Sequence, residues 1–422
     1  MKVVACEPHI VAVPPPHIGG MYWIFVILRT DCGIEGVGEV YASTFHPTVL
    51  QAAINDVFER YLKGHDPHHI ERFFREAYSS GFTQRPDLTM MGVVSGLEMA
   101  CWDIIGKSAN KPVYELIGGK VHDKLRSYTY LYPENSAGEY DYDNVELAVE
   151  CAVRCMEQGF TAIKFDPAGP YSAYSGHQIS LEALDKSATF CRRIREAVGN
   201  HCDLLFGTHG QMTPASAIRL ARRLEPYDPL WFEEPVPPGQ AEAMSRVAAK
   251  TSIPIATGER LTTKYEFHEL LRQGAAAILQ MNLGRVGGIL EGKKIAAIAE
   301  AFYAQIAPHL YNGPVGAAAS IQLATATPNF LIQESIMTWE GFHADVLQEK
   351  IEWQDGYIIP STKPGLGVEL NMDVVKAYSP YTGSKLHLSM DAKPYDIKAQ
   401  SSQDWKQAPQ LPVYSDGKTH QK

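Results

Sequence analysis

From about residue 127 to residue 345 the sequence repeats one unit, a short apolar run followed by an amphipathic stretch of helical period. The runs are RSYTYLY, FTAIKFD, CDLLFGT, LWFEEP, IPIATGE, AILQMN, AQIAPHL and NFLIQES. Between most of them lie stretches such as NVELAVECAVRCMEQG, TPASAIRLARRLEP, TKYEFHELLRQG and ILEGKKIAAIAEAFY. Short continuous apolar runs suit strands buried on both faces, and parallel strands need helical crossovers between them. Eight strands in strict alternation predict a closed β/α barrel better than an open doubly wound sheet. No Gly-x-Gly-x-x-Gly follows the first strand of an alternating unit, which argues against dinucleotide binding.

The flanks read differently. Residues 1–125 carry a β-rich stretch, YWIFVILRTDCGIEGVGEVY, with a turn at Asp31-Cys32-Gly33, and then three helical patterns. They predict an α+β domain in front of the barrel at 126–345. Residues 346–422 are expected to return to the first domain and end in a polar tail rich in Pro, Gly, Ser and Lys. A net charge of −10 over 422 residues offers no basic surface for nucleic acid. The N-terminus lacks a secretory pattern, and no apolar run is read as long enough to span a membrane. Seven scattered cysteines without a Cys-x-x-Cys fit reduced thiols, so a cytoplasmic protein is expected.

Active sites of such barrels lie at the C-terminal strand ends. In order, from the second run to the eighth, those ends carry Lys164 and Asp166, His209, Glu233, Glu259, Asn282, His309 and Glu334. A buried carboxylate is costly unless something binds it. Glu233 and Glu259, on adjacent strands, can converge on one hard divalent cation such as Mg2+. The alternative is pairing within the protein, for which Arg260 and Lys164 are at hand.

The chain resembles the enolase superfamily in its mandelate racemase and acid-sugar dehydratase branch. The resemblance runs through GGKVHDKLRSY, AIKFD, LWFEEPVPP, IATGER, LGRVGGILEGKKIA, NFLIQES and KPGLGVEL. It implies an N-terminal α+β capping domain, a modified (β/α)7β barrel and one Mg2+. It also implies removal of the proton α to a carboxylate, with the enediolate stabilised on the metal. Cationic help is needed because that proton is very weakly acidic. Lys164 and Asp166 on one face, with His309 on the other, are then the acid–base candidates.

Three positions depart from the family pattern. The strand-three aspartate that normally binds metal is Gly207 here. His209, two residues on, faces the same interior and is expected as third metal ligand or as an acid for the leaving hydroxyl. The second lysine of the racemases is Asp166, so either Asp166 or Tyr171 accepts the proton. The aspartate that normally supports the strand-seven histidine is Asn282, which can orient His309 but cannot stabilise its protonated form as a carboxylate would. His309 is therefore expected as an acid or a positioning group.

Substrate contacts are expected from Glu334, Asn282, His46 and Arg85, and from His17 in the Pro/Gly-rich loop VPPPHIGGMYW; Asn312 is a weaker candidate. The leading expectation is a Mg2+-dependent lyase converting a sugar acid to a 2-keto-3-deoxy acid. The alternatives are a cycloisomerase of a lactone or anhydro sugar acid and a catalytically impaired barrel. The partner would be a small molecule, with neither nucleic acid nor membrane. A homo-oligomer is expected, because a neighbouring subunit often completes the lid in such relatives.

Overall fold

The computed structural model describes residues 1–41, 44–82, 84–85, 87–168 and 178–387. Three strands open the chain: β1 (Val3–Ala12), β2 (Tyr22–Thr30) and β3 (Glu35–Val40). They form an antiparallel sheet in the order β1-β2-β3, and Gly33 supplies a left-handed turn residue at φ 85°. Helices α1 (Pro47–Tyr61), α2 (Ile70–Tyr78), α3 (Leu88–Ala109) and α4 (Val113–Leu116) follow. Strand β3 lies directly on α3. A Cβ at Gly38 would come within 1.9 Å of the Gly96 carbonyl, so only glycine permits that approach.

Contrary to the sequence expectation, α3 is apolar and long enough to cross a bilayer, but 78 % of that stretch is buried in the fold, as in a core helix. It packs on the capping sheet and reaches the barrel.

The barrel alternates β4 (Leu125–Tyr130), α5 (Val145–Gln158), β5 (Ala162–Phe165), α6 (Leu181–Val198), β6 (Asp203–Gly207) and α7 (Pro214–Leu224). It continues with β7 (Trp231–Glu233), α8 (Ala241–Ala248), β8 (Ile255–Thr257), α9 (Lys264–Arg272), β9 (Ile278–Leu279), α10 (Ile289–Ala301), β10 (Gln305–Ile306), α11 (Pro314–Thr325) and β11 (Gln333–Ser335). Consecutive strands pair in parallel from β4 to β10. Strand β11 pairs with β4, and an Ile306–Phe330 bridge closes the remaining gap. Seven helices of eight or more residues link eight strands, the (β/α)7β arrangement. Short elements complete the described chain: α12 (Phe342–Asp345), β12 (Trp353–Gln354), β13 (Tyr357–Ile358) and α13 (Met372–Ala377). Tyr381 N–H then donates to Ile10 O, which ties the C-terminal segment to β1.

One apolar layer fills the barrel: Tyr128, Ala162, Leu205, Trp231, Ala256, Ile278, Ala307 and Ile332, one from each strand or the residue beside it. Tyr128 and Trp231 meet edge to face at 5.3 Å, and the alanines give them room. Side chains along a strand return to the same face every second residue. Two residues further toward the C-terminal ends stand Tyr130, Lys164, Gly207, Glu233, Gly258, Gln280, His309 and Glu334. The change from apolar to polar over one step of the pleat makes the site.

Two buried carboxylates join cap to barrel. Glu39 accepts from Gly313 N–H (2.5 Å) and Gly316 N–H (2.8 Å) at the start of α11. Glu98 accepts from Ile289 N–H (2.8 Å) and Leu290 N–H (2.9 Å) at the start of α10, and from Trp102 Nε1 (2.8 Å). Helix N-termini present unpaired N–H groups and partial positive charge, so carboxylates suit them. Glu98→Ala would strand buried donors, and a loss of about 3 kcal/mol is expected in denaturant titration.

Burial pushes the Glu98 carboxyl up to about 8 despite those donors. The folded state thus binds more protons than the unfolded one above the ordinary carboxyl pKa. This contribution to stability is fully present below about pH 4.5 and is lost as pH rises through about 8. Melting of a Glu98→Gln variant should show a weaker decline over that interval.

Candidate active site at the barrel mouth

Lys164, the third residue of β5, is 2 % exposed. Its Nζ lies 2.5 Å from Glu233 Oε1 and 3.8 Å from Glu334 Oε1. Burial opposes its charge, but Glu233 and Glu334 override it and hold the ammonium well above the usual lysine range. Glu233 Oε2 accepts from Trp231 Nε1 (3.0 Å) and Gln280 Nε2 (2.7 Å). The next residue, Glu234, adopts φ 39° and turns to Arg260, whose Nε donates to it at 3.0 Å. The strand ends at Glu233, and the left-handed backbone at Glu234 turns the second glutamate away to Arg260.

Asp166 bridges two groups. Tyr130 Oη donates to its Oδ1, and His209 Nδ1 lies 3.1 Å from its Oδ2. Burial would favour a neutral imidazole, but the Asp166 hydrogen bond and charge raise His209 to about 9. It is an imidazolium at neutral pH.

His309 is arranged in the opposite sense. Gly284 N–H donates to Asn282 Oδ1 at 2.8 Å, which fixes the amide orientation. Asn282 Nδ2 therefore faces His309 Nδ1 at 2.9 Å as donor, so Nδ1 carries the lone pair and Nε2 the proton. Burial lowers this ring to about 3, and it is neutral. Its Nε2 lies 3.3 Å from Glu259 Oε2, a buried oxygen that makes no hydrogen bond. An Asn282→Asp substitution should move the ring proton to Nδ1. The ¹⁵N shifts of His309 would report that change, and unchanged shifts would contradict the assignment.

Residues 4–118 match the mandelate racemase / muconate lactonizing enzyme N-terminal domain, and residues 146–374 match the enolase C-terminal domain-like family. The chain belongs to the mandelate racemase / muconate lactonizing enzyme family of the enolase superfamily. It is similar to a D-xylonate dehydratase of Haloferax volcanii, 33 % identical and covering 88 % of this chain and 89 % of that protein. A D-galactonate dehydratase of Pectobacterium atrosepticum is 35 % identical over 84 % of this chain and 90 % of its own. Among solved structures, a protein of Burkholderia SAR-1 assigned to the same family shares 73 % identity, covers 94 % and 99 % of the two chains and superposes with a TM-score of 0.93. A mandelate racemase/muconate lactonizing enzyme from a Sulfitobacter species shares 53 % identity, covers 94 % and 100 %, and gives a TM-score of 0.90.

Membership in this family generally implies Mg2+, and the donor set can be tested against it. Three carboxylates, Glu233, Glu259 and Glu334, share the field of Lys164, and burial holds Glu334 up at about 7 despite that ammonium. Glu259 Oε2 is unbonded. Glu233 and Glu259, on neighbouring strands and with Glu259 Oε2 making no hydrogen bond, fit a hard divalent cation. His209, expected as third ligand or as acid, has its Nδ1 3.1 Å from Asp166 Oδ2. Among the described residues no group of three His, Cys, Asp or Glu is set to hold a metal ion. The pairing alternative is also realised, by Lys164 on Glu233, with Arg260 Nε 3.9 Å from Glu259 Oε1.

The expected substrate contacts sort differently. Glu334 is at the mouth, with Oε2 accepting from Leu310 N–H at 2.6 Å. The Asn282 amide is spent on Gly284 and His309. His17 Nδ1 lies 2.7 Å from Val13 O, within its own loop, while His46 caps α1 and places Nε2 3.0 Å from Gly383 O. Arg85 is exposed near Tyr78 in the cap. Asn312 serves the Glu39 joint. Tyr171 lies outside the described residues. Sequence reasoning missed Tyr130, Gln280 and Arg285, whose Nη1 donates to Glu259 O at 2.8 Å. For the first two the signal was their place two residues beyond the apolar layer.

Proposed function

We propose that this chain dehydrates a sugar acid, removing the proton α to its carboxylate and expelling the β-hydroxyl as water to give a 2-keto-3-deoxy acid. The observation that carries the reading is the barrel mouth itself, where Lys164 is buried on Glu233 and His209 turns Nδ1 to Asp166 Oδ2 at 3.1 Å. The similarity to D-xylonate and D-galactonate dehydratases supports it. Lys164 stabilises the negative charge that develops on the substrate carboxylate. Asp166 is engaged by Tyr130 and His209, so of the two candidate proton acceptors Tyr171 is assigned the role. His209 protonates the departing hydroxyl, and neutral His309 donates from Nε2. Mg2+ held by Glu233 and Glu259 would add Lewis-acid stabilisation of the same carboxylate. The enol product tautomerises to the keto acid. A homo-oligomeric, cytoplasmic enzyme fits this role.

The test is a panel of sugar acids with Mg2+, read by semicarbazide for 2-keto acid. Turnover of one or a few members, lost in Lys164→Ala and His309→Asn, is expected. No keto acid from any member, together with the same melting temperature in Mg2+ and in EDTA, would contradict the reading.

A further inference from the structure

We propose that Tyr130 is a positioning residue of this reaction, pinning one carboxylate oxygen of Asp166 so that the other holds His209 in the orientation from which it releases its proton. The inference rests on the acid role assigned to His209 above. Tyr130 ends β4 and pairs in register with Lys164 on β5, which sets its ring beside the residues that follow Lys164. Its hydroxyl donates to Asp166 Oδ1, while Oδ2 faces His209 Nδ1 at 3.1 Å. The Asp166 side chain is 8 % exposed and that of His209 32 %, so the imidazole faces the opening and the carboxylate stands behind it.

An aspartate holding a histidine by one oxygen can still turn about its own side-chain bonds. A second hydrogen bond on the other oxygen removes that freedom. Tyr130 is itself wedged, with Tyr132 at 5.7 Å and Tyr142 edge-on at 6.0 Å. Burial, first, and then the Asp166 charge keep its hydroxyl protonated far above neutral pH, so it remains a donor. Tyr130 is linked to the acid through Asp166.

The experiment compares Tyr130→Phe, His209→Asn and the double variant on whichever sugar acid is turned over. Tyr130→Phe is expected to lower kcat roughly tenfold while KM stays within about twofold. In the His209→Asn background the same change should cost less than about twofold, since the two residues act as a unit. Equal losses in both backgrounds would overturn the proposal, as would a rise in KM alone. A readout independent of turnover is the downfield ¹H signal of His209 Nδ1–H, assigned by its loss in His209→Asn. It should shift or broaden in Tyr130→Phe, and an unchanged signal would overturn the proposal. Should Tyr130→Phe fail to fold, Asp166→Asn probes the same link and should abolish the signal; a retained signal would count against it. If no sugar acid is turned over, the dehydratase reading fails, while the signal still decides the Tyr130 link.

Discussion

Replacing His209 with Asn is expected to lower kcat about 10²- to 10⁴-fold, the usual range for a lost general acid, with KM little changed. Hydroxide is a poor leaving group, so the step that breaks the C–O bond needs a proton delivered as the bond lengthens. In the proposed reaction His209 delivers it. Asp166 holds the His209 ring at about 9, so the proton is present throughout the neutral range. The backbone is committed to the placement as well, since His209 sits at φ 49°, a left-handed conformation unusual for a side chain of this size. Activity should fall as pH rises through about 9, where the imidazolium loses its proton. A His209→Asn enzyme that keeps wild-type kcat would remove the residue from the chemistry.

Restoring a carboxylate at position 207 should have the opposite sign. A Cβ built on Gly207 would lie 3.4 Å from Lys164 Cε and 3.5 Å from Asp166 Cβ, ordinary contact distances, so the backbone there accepts a side chain. It would join Glu233 and Glu259 as a third acidic donor. Affinity for hard divalent cations rises with the charge and number of oxygen ligands. Calorimetry should therefore show Mg2+ binding to Gly207→Asp roughly tenfold or more tighter than to the wild type. Without metal the variant should melt lower, because it buries one more carboxylate with no added cation. Equal affinities would place the ion away from β6.

The barrel was legible because its rule is local. Runs of strand length that bury both faces leave few alternatives, and the residue ending each run is on view in the sequence. Lys164, Glu233, His309 and Glu334 were found that way. Gln280 and Tyr130 obey the same two-residue step but read as an ordinary amide and an ordinary strand tyrosine, since nothing local names their partners.

Pairing was the harder part. Whether Glu233 meets a metal or Lys164, and whether His209 faces a cation or Asp166, depends on rotamers set across strands. His17 and His46 illustrate the other limit. Each looks like a ligand in a loop, and each spends a ring nitrogen on a carbonyl, the common fate of a polar side chain near a bend. Arg285 lies three residues beyond Asn282, and only the fold brings it to the Glu259 carbonyl.

The most direct measurement is the mass of the product formed from whichever sugar acid the enzyme consumes. Elimination at this mouth predicts a product lighter than its substrate by one water and reactive with semicarbazide. A product of unchanged mass would mean that the ring opens or closes without loss of water, and the dehydration account would be wrong.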